Sequence, residues 1–546
     1  MYFRTIAIMM IIATNLATAN EQPQSTAVLL RGGRIIDGTG APAYFADLLI
    51  RDGYIASIGT LKDHPTARVI DVTGYVIAPG LIDMMGQTAT PMLDNPHLAV
   101  NLLAQGITTI NAGEGVSAAP LPTQQAKQMG WQTMREYFDN LDRVGLPLNV
   151  AQSIGHTQIR RLVMGEDNRA PEAAELEEMK HWVSEAMEAG AIGLSTALIY
   201  PPAVFATTEE IIALATVSAR YGGRYFTHMR NEGDRLLEAI DETLEIARQS
   251  DSSVHIFHLK AAGQANWKKI PLAIARLQAI RKEGMDVTAD IYPYVHNGLG
   301  IASFIHPKHF SQGRVSLLDR LHDSDLKAQI KEEMMTLTGW ENWFRHIGKD
   351  WNRLIIGNTS HTSYRNFSGQ SLAAIAQHFD HSPWRVFYDL VQTGAFVLPM
   401  SMTEANKITL MKEPFISFCT DAGPDASQIG SHPRAYGAFP RLLGRYVRDL
   451  GVLSLEQAIS QATAVAANEI MAYDRGRIAR GLAADLIVFD QDRITDQATF
   501  AEPNRLSTGV HWVFVNGLPV WENGKYTGAR PGRVLKGPGY KQQPDH

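Results

Sequence analysis

Val254-His255-Ile256-Phe257-His258 is an apolar run that stops on a histidine, and Phe226-Thr227-His228 stops on another thirty residues earlier. Between them Leu236, Leu237, Ile240, Leu244 and Ala247 recur at the spacing that lines up one face of a helix. After the second run Ile270, Ile274, Leu277 and Ile280 mark another helix, Gly284 stops it, and residues 285–290 read as the next strand. Much later Phe415-Ile416-Ser417-Phe418-Cys419-Thr420 runs into Asp421. Working backwards, residues 172–189 form a helical stripe through Leu176, Met179, Val183 and Met187 that ends at Gly190, and Thr207 with Glu210 has the spacing of a capping box. Strand and helix alternate over several hundred residues, which predicts an α/β fold, either a (β/α)₈ barrel or a doubly wound sheet.

The flanks read differently. Val28-Leu29-Leu30-Arg31, Leu48-Leu49-Ile50 and Tyr54-Ile55-Ala56-Ser57-Ile58 are short strands, and Asp52-Gly53 between two of them is a hairpin signal. Ala483 to Asp490 and Trp512-Val513-Phe514-Val515 are strands near the other end. One β-module assembled from both ends is the economical reading, with an N-terminal part at 26–78 and a C-terminal part at 471–536. The α/β body then covers 79–470, and 537–546 is a Pro/Gly/Lys-rich tail. Residues 295–400 break the strand–helix rhythm, carry Trp340, Trp343, Trp351 and Trp384 and a charged helix pattern at 321–335, and read as a lid-like insertion over the site.

Composition bounds the function. The chain has 546 residues and is 45% apolar and 19% charged, the balance of a well-cored protein. Its formal charge of -6 and lack of a basic tract argue against a nucleic-acid partner. Cys419 is the only cysteine, so an internal disulfide and a cysteine-rich metal site are both excluded, and any metal must rest mainly on His, Asp or Glu. Arg4, the apolar run 6–13 and the small residues Ala17-Thr18-Ala19 have the plan of a signal peptide over 1–19, which predicts export, in a bacterium to the periplasm. No stretch is apolar enough for a transmembrane helix.

His228, His258 and Asp421 each close a strand pattern, and in a barrel such ends converge on one mouth. Two imidazoles and a carboxylate there can hold zinc and leave a position open to water. Glu114 joins them: it follows the strand Ile107-Thr108-Thr109-Ile110, and Gly113 and Gly115 on either side permit the turn that aims a carboxylate inward.

Several longer stretches carry a resemblance. They are Gly193-Leu194-Ser195-Thr196, Thr227-His228-Met229-Arg230-Asn231-Glu232-Gly233, His258-Leu259-Lys260, Asp290-Ile291-Tyr292-Pro293-Tyr294, His432-Pro433-Arg434-Ala435-Tyr436-Gly437 and Asp474-Arg475-Gly476-Arg477-Ile478. In these and in their order the chain resembles the D-aminoacylase (N-acyl-D-amino-acid deacylase) family of the amidohydrolase superfamily. The resemblance implies a metal-dependent (β/α)₈ barrel with a small β-sandwich domain, acting on the amide bond of N-acyl amino acids or short dipeptides. It implies a metal set of Glu114, His228 and His258, Asp421 as the catalytic acid–base group, and Lys260, Tyr292 and Arg434 as the groups that hold the substrate's carboxylate. A guanidinium and an ammonium suit a free carboxylate.

One departure stands out. The family's first strand ends in Asp-x-His-x-His, whereas this chain has Asp83-Met84-Met85-Gly86-Gln87. Met85 and Gln87 occupy the histidine positions, and a thioether and a neutral amide are poor zinc ligands. The expectation is therefore one zinc per chain. No lysine stands at a strand end suited to carbamylation. Two other readings share the constellation: hydrolysis of a different carboxylate-bearing amide or lactam, and a metal-free binding protein on the same fold.

Overall fold

The computed structural model describes residues 27–64, 66–425 and 432–542; the expected signal peptide lies outside them. Both chain ends build one nine-stranded sheet. Ala27–Ile35 pairs with Tyr44–Arg51, which turns through Asp52-Gly53 into Tyr54–Gly59. Asp52 and Gly53 both have positive φ (53° and 87°), as the tight hairpin turn requires. Val76–Pro79 joins the two halves: one edge runs parallel to Ala27–Ile35, and the other pairs antiparallel with Leu486–Phe489 from the C-terminal part. Alternate residues point inward, and Leu30, Ile50, Ile55, Val488 and Phe514 are buried in one cluster inside this small β-sandwich.

Eight strands make the barrel: β1 (Leu81–Asp83), β2 (Ile107–Ala112), β3 (Asn149–Gln152, continued by Ile154–Gly155), β4 (Gly193–Ala197), β5 (Arg224–His228), β6 (Val254–Ile256), β7 (Val287–Ile291) and β8 (Ile416–Phe418). All neighbouring pairs run parallel. The ring closes where Met84 N–H donates to the Phe418 carbonyl and the Asp83 carboxylate accepts from Thr420. The strands are buried along their whole length, as expected for a parallel sheet covered by helices. Ala173–Ala189, Leu236–Ser250 and Ile270–Lys282 are three of those helices, and each buries the stripe expected of it except for Leu176, Leu237 and Ile280, which are partly buried.

The Thr207 cap is only half of a capping box. Thr207 Oγ1 accepts from Glu210 N–H, but the Glu210 carboxylate turns away into a buried cluster, 2.8 Å from His156 and 2.6 Å from Arg160. A buried guanidinium competes more strongly for that carboxylate than a helix-end amide does.

The region between β7 and β8 folds on its own core. Leu299–Gly300, Ala395–Pro399 and Leu354–Thr359 form a three-stranded antiparallel sheet. Phe304, Trp343, Phe344, Trp351 and Phe387 pack in a cluster separate from the barrel core. The helix expected over 321–335 is Ser324–Thr336; it starts three residues later because the Asp323 side chain caps it by accepting from Asp325 N–H, and a separate helix, Gly313–Arg320, precedes it. Residues 537–541 lie against the barrel, with Gly537 and Lys541 donating to the carbonyls of Gly190 and Glu188. Among the described residues no helix is long and apolar enough to cross a membrane.

Candidate active site

The C-terminal ends of the strands bring the expected residues into one pocket of about 340 Å³, lined by Glu114, His228, His258, Lys260, Tyr292, Asp421 and Arg434. Glu114 follows β2 and is aimed inward by its two glycines, with φ of 97° at Gly113 and 67° at Gly115. A side chain on Gly115 would stand 2.6 Å from the Ala197 amide nitrogen, so the turn has no room for one.

Glu114 Oε1 lies 2.7 Å from His228 Nδ1 and 3.0 Å from His258 Nε2. One ligand atom from each of the three residues falls within 4.8 Å of the others. Carboxylate oxygen and imidazole nitrogen are the donors zinc takes, and both rings are buried, so this set fits a catalytic metal. Burial alone would raise the Glu114 carboxyl, but hydrogen bonds from the two histidines and their charge hold it well below the usual carboxylate range.

The His258 ring is fixed from behind. Its Nδ1 lies 3.1 Å from Glu232 Oε1 and 2.6 Å from Lys260 Nζ, and the Lys260 ammonium donates to Glu232 at 2.5 Å. Its main chain is fixed too: Asp290 Oδ1 accepts from His258 N–H at 2.8 Å. Strand β6 stops two residues short of His258, which sits at φ 36°; Gln87 (57°) and Asp421 (49°) share the left-handed region. Three non-glycine residues held there at one mouth mark a place where position outranks backbone ease.

Asp421 faces the metal set. Its Oδ1 accepts from Gln87 Nε2 at 2.8 Å, and its Oδ2 lies 2.7 Å from Arg434 Nη1. Burial raises its carboxyl above the usual range, with Arg434 opposing. Arg434 is itself buried, and its Nε has no hydrogen-bond partner among the described residues. Its guanidinium packs 4.6 Å from the Tyr292 ring centre.

Lys407, Glu232 and Asp290 went unremarked as site residues in the sequence. Lys407 Nζ is buried without a hydrogen-bond partner among the described residues and lies 4.4 Å from the Tyr292 ring centre. Burial, helped by the charge of Lys260, lowers its ammonium to about 7. Glu232 and Asp290 carried a signal, since each sits inside one of the motif stretches. Lys407 carried none, being one lysine of an ordinary helix, Glu404–Met411.

Comparisons with known proteins agree with this geometry. A family described as "Amidohydrolase family" matches residues 406–521. The chain is 33% identical to the D-aminoacylase of Alcaligenes xylosoxydans xylosoxydans, over 93% of this chain and 97% of that one. Among solved structures, the N-acyl-D-glutamate deacylase of Bordetella bronchiseptica, complexed with zinc and a phosphonate mimic of the tetrahedral intermediate, superposes with a TM-score of 0.79 at 32% identity, covering 93% of this chain and 99% of that one. A D-aminoacylase structure with a binuclear metal centre, described by one-metal activation and second-metal attenuation, superposes with a TM-score of 0.78 at 32% identity and the same coverage.

That binuclear centre overturns the expectation of one zinc per chain: two metal ions are the family's pattern. The lower count weighed only the histidines missing at Met85 and Gln87. Carboxylate oxygens reach the same side of the pocket independently of those positions, since Glu114 Oε2 and Asp421 Oδ1 lie 2.9 and 2.8 Å from Gln87 Nε2. With near-complete coverage at this identity, a barrel and sandwich of the same plan, and a buried metal-ligand set at the mouth, the chain belongs to the D-aminoacylase (N-acyl-D-amino-acid deacylase) family of the amidohydrolase superfamily.

Proposed function

We propose that this metal-dependent amidohydrolase cleaves the acyl–nitrogen bond of N-acyl-D-amino acids, releasing a carboxylic acid and a free amino acid. The observation that carries the reading is the juxtaposition of Glu114, His228 and His258 with a second carboxylate, Asp421, across one small buried pocket. Metal held by the three ligands supplies Lewis acidity toward the amide carbonyl and lowers the pKa of water in the site. Asp421 accepts a proton from the attacking water and passes it to the departing nitrogen. A carboxyl raised by burial is a better base than an exposed one and readily gives the proton back. Arg434 faces Asp421 and limits that rise, while its guanidinium and the Tyr292 hydroxyl hold the substrate's carboxylate. Lys260 adds positive charge on the same side, although its nearest anion is Glu232. Glu232 fixes the His258 ring and Asp290 its backbone.

The D configuration rests on the substrates named for the relatives, D-amino acids and D-glutamate. The same reading places the enzyme outside the cytoplasm, on the signal-peptide plan of residues 1–19. The deciding experiment pairs metal analysis with turnover of matched D and L N-acyl amino acids. Cleavage of the D series that is lost on chelation and restored by zinc is the expected result. Metal-loaded enzyme that leaves both series intact rules the reading out.

A further inference from the structure

A second cavity adjoins the pocket over the ligand set. Tyr200 and Trp343 line both, so the two spaces meet at these rings. The Tyr200 ring stands 5.5 Å from that of His228, which places the junction beside the metal ligands. The pocket holds about 340 Å³ and the neighbouring groove about 970 Å³. Small-molecule sites run from about 300 to about 1,000 Å³. The first space therefore suits the reacting centre with a compact amino acid, and the second is too large to be an accident of that pocket.

The groove runs between the loop after β4 and the insertion. Ile199, Phe205, Ile305, Phe310 and Trp340 give it apolar walls, and all but Phe205 are at least nine-tenths buried. Most of its lining charges are paired within the chain, the buried Glu341 carboxylate lying 3.2 Å from His346 Nε2. Arg230 is held by Glu242 at 2.9 Å, Arg161 by Glu166 at 2.7 Å, and Lys308 by Glu333 at 2.8 Å. Arg235, Glu238 and Arg314 stand exposed at the rim. The interior thus offers apolar contact and little net charge.

Barrel order supplies the direction. Lys260, Tyr292 and Arg434 follow β6, β7 and β8, and the groove opens from the β4–β5 side, beyond His228. A substrate whose carboxylate points to the first group and whose amide carbon sits over the ligand set must send its acyl chain toward the second. We infer that the groove is the acyl subsite, and that the enzyme's substrates carry long or aromatic uncharged acyl chains rather than acetyl. This rests on the amide-hydrolase reading above and narrows it.

The test uses the metal-loaded full chain and one amino acid acylated with acetyl, hexanoyl, decanoyl and phenylacetyl groups. With apolar burial as the source of the gain, kcat/KM is expected to rise about tenfold or more from acetyl to decanoyl. Ser303 also lines the groove, and Ser303→Trp, which fills it, should flatten that rise and leave the acetyl substrate unaffected. Phe310→Ala, which removes a wall, serves as the second variant, judged alone if Ser303→Trp does not fold, and should shrink the decanoyl advantage. If acetyl is cleaved as well as decanoyl, or if a folded variant keeps the parent's full chain-length dependence, the groove is not the acyl subsite. If no substrate in the series is cleaved, the amide-hydrolase reading itself has failed.

Discussion

The barrel mouth and the insertion facing it are built from opposite materials. At the mouth Glu114, His228, His258, Lys260, Asp421 and Arg434 gather six ionisable side chains, each no more than 13% exposed, at and beyond the strand ends, Arg434 at the start of the helix Arg434–Arg441. Two of them, His258 and Asp421, are held at positive φ. The insertion turns Leu299, Trp343 and Phe396 toward the same pocket and has a core of aromatic rings. Buried charge costs stability unless each group is paired, while apolar burial contributes it. The mouth therefore holds reactive groups in place at the expense of stability, and the insertion offsets that cost and shapes the space. If this division is right, substitutions at the mouth change chemistry, and substitutions in the insertion core change stability.

The largest effect falls at the mouth. Asp421→Asn keeps shape but cannot accept a proton, so kcat should fall by about 10² to 10⁴ with the fold intact by circular dichroism. Turnover near the parent's in a verified variant would remove Asp421 from the mechanism.

Trp351 tests the other half. It packs 4.5 Å from Phe344, 5.3 Å from Trp384 and 5.5 Å from Phe387, between ring centres. Trp351→Ala should lower unfolding free energy by about 3 to 5 kcal/mol, measured in urea. Metal content and kcat on a short-acyl substrate should stay close to the parent's. A kcat loss as deep as that of Asp421→Asn would show that the insertion core and the mouth are not separable.

The two regions also differ in how much of them could be read without coordinates. The barrel was legible because fully buried parallel strands leave unbroken apolar runs, and the polar residue that ends each run stands out: His228, His258, Asp421. Glu114 was legible through its glycines. The strand limits were less so, because β6 yields to the turn that Asp290 imposes on His258, a contact 32 residues away in sequence. In the insertion the helical pattern over 321–335 was legible apart from its first three residues, which the Asp323 cap cuts off, but nothing in the spacing announced the separate core. A second metal position was judged only from the first-strand residues Met85 and Gln87, whereas Glu114 and Asp421 bring carboxylate oxygens to Gln87 from the ends of β2 and β8.

Lys407 was the least legible of the site's neighbours, and it extends the contrast beneath the mouth. Its ammonium is buried against Tyr292 and lowered to about 7 from an ordinary 10.5. Between those values the unfolded chain holds a proton that the folded one has released, so the parent gains stability as pH rises through that window. Below about 7 the buried charge exerts its full cost. Lys407→Met should therefore stabilise the protein by about 1 to 4 kcal/mol at pH 6.5. The advantage should shrink as pH approaches 10. A variant no more stable than the parent at pH 6.5 would mean that Lys407 is compensated by a partner.

The smallest expected effect, Arg434→Lys, asks whether one buried cation serves binding or chemistry. Lysine keeps the charge but loses the planar pair of donors that can meet both carboxylate oxygens. The substrate's carboxylate lies away from the reacting carbon, so its contact should be similar in ground and transition states and appear mainly in KM. The expected loss is about 1.5 to 3 kcal/mol. Because Arg434 Nη1 also lies 2.7 Å from Asp421 Oδ2, a smaller fall in kcat should accompany it. An amidated substrate separates the two. It should bind the parent poorly and lose little more in the variant, because the contact it lacks is the one the variant removes. If the variant still discriminates acid from amide as strongly as the parent does, Arg434 acts on Asp421 alone, and the carboxylate must be held by Tyr292 and Lys260.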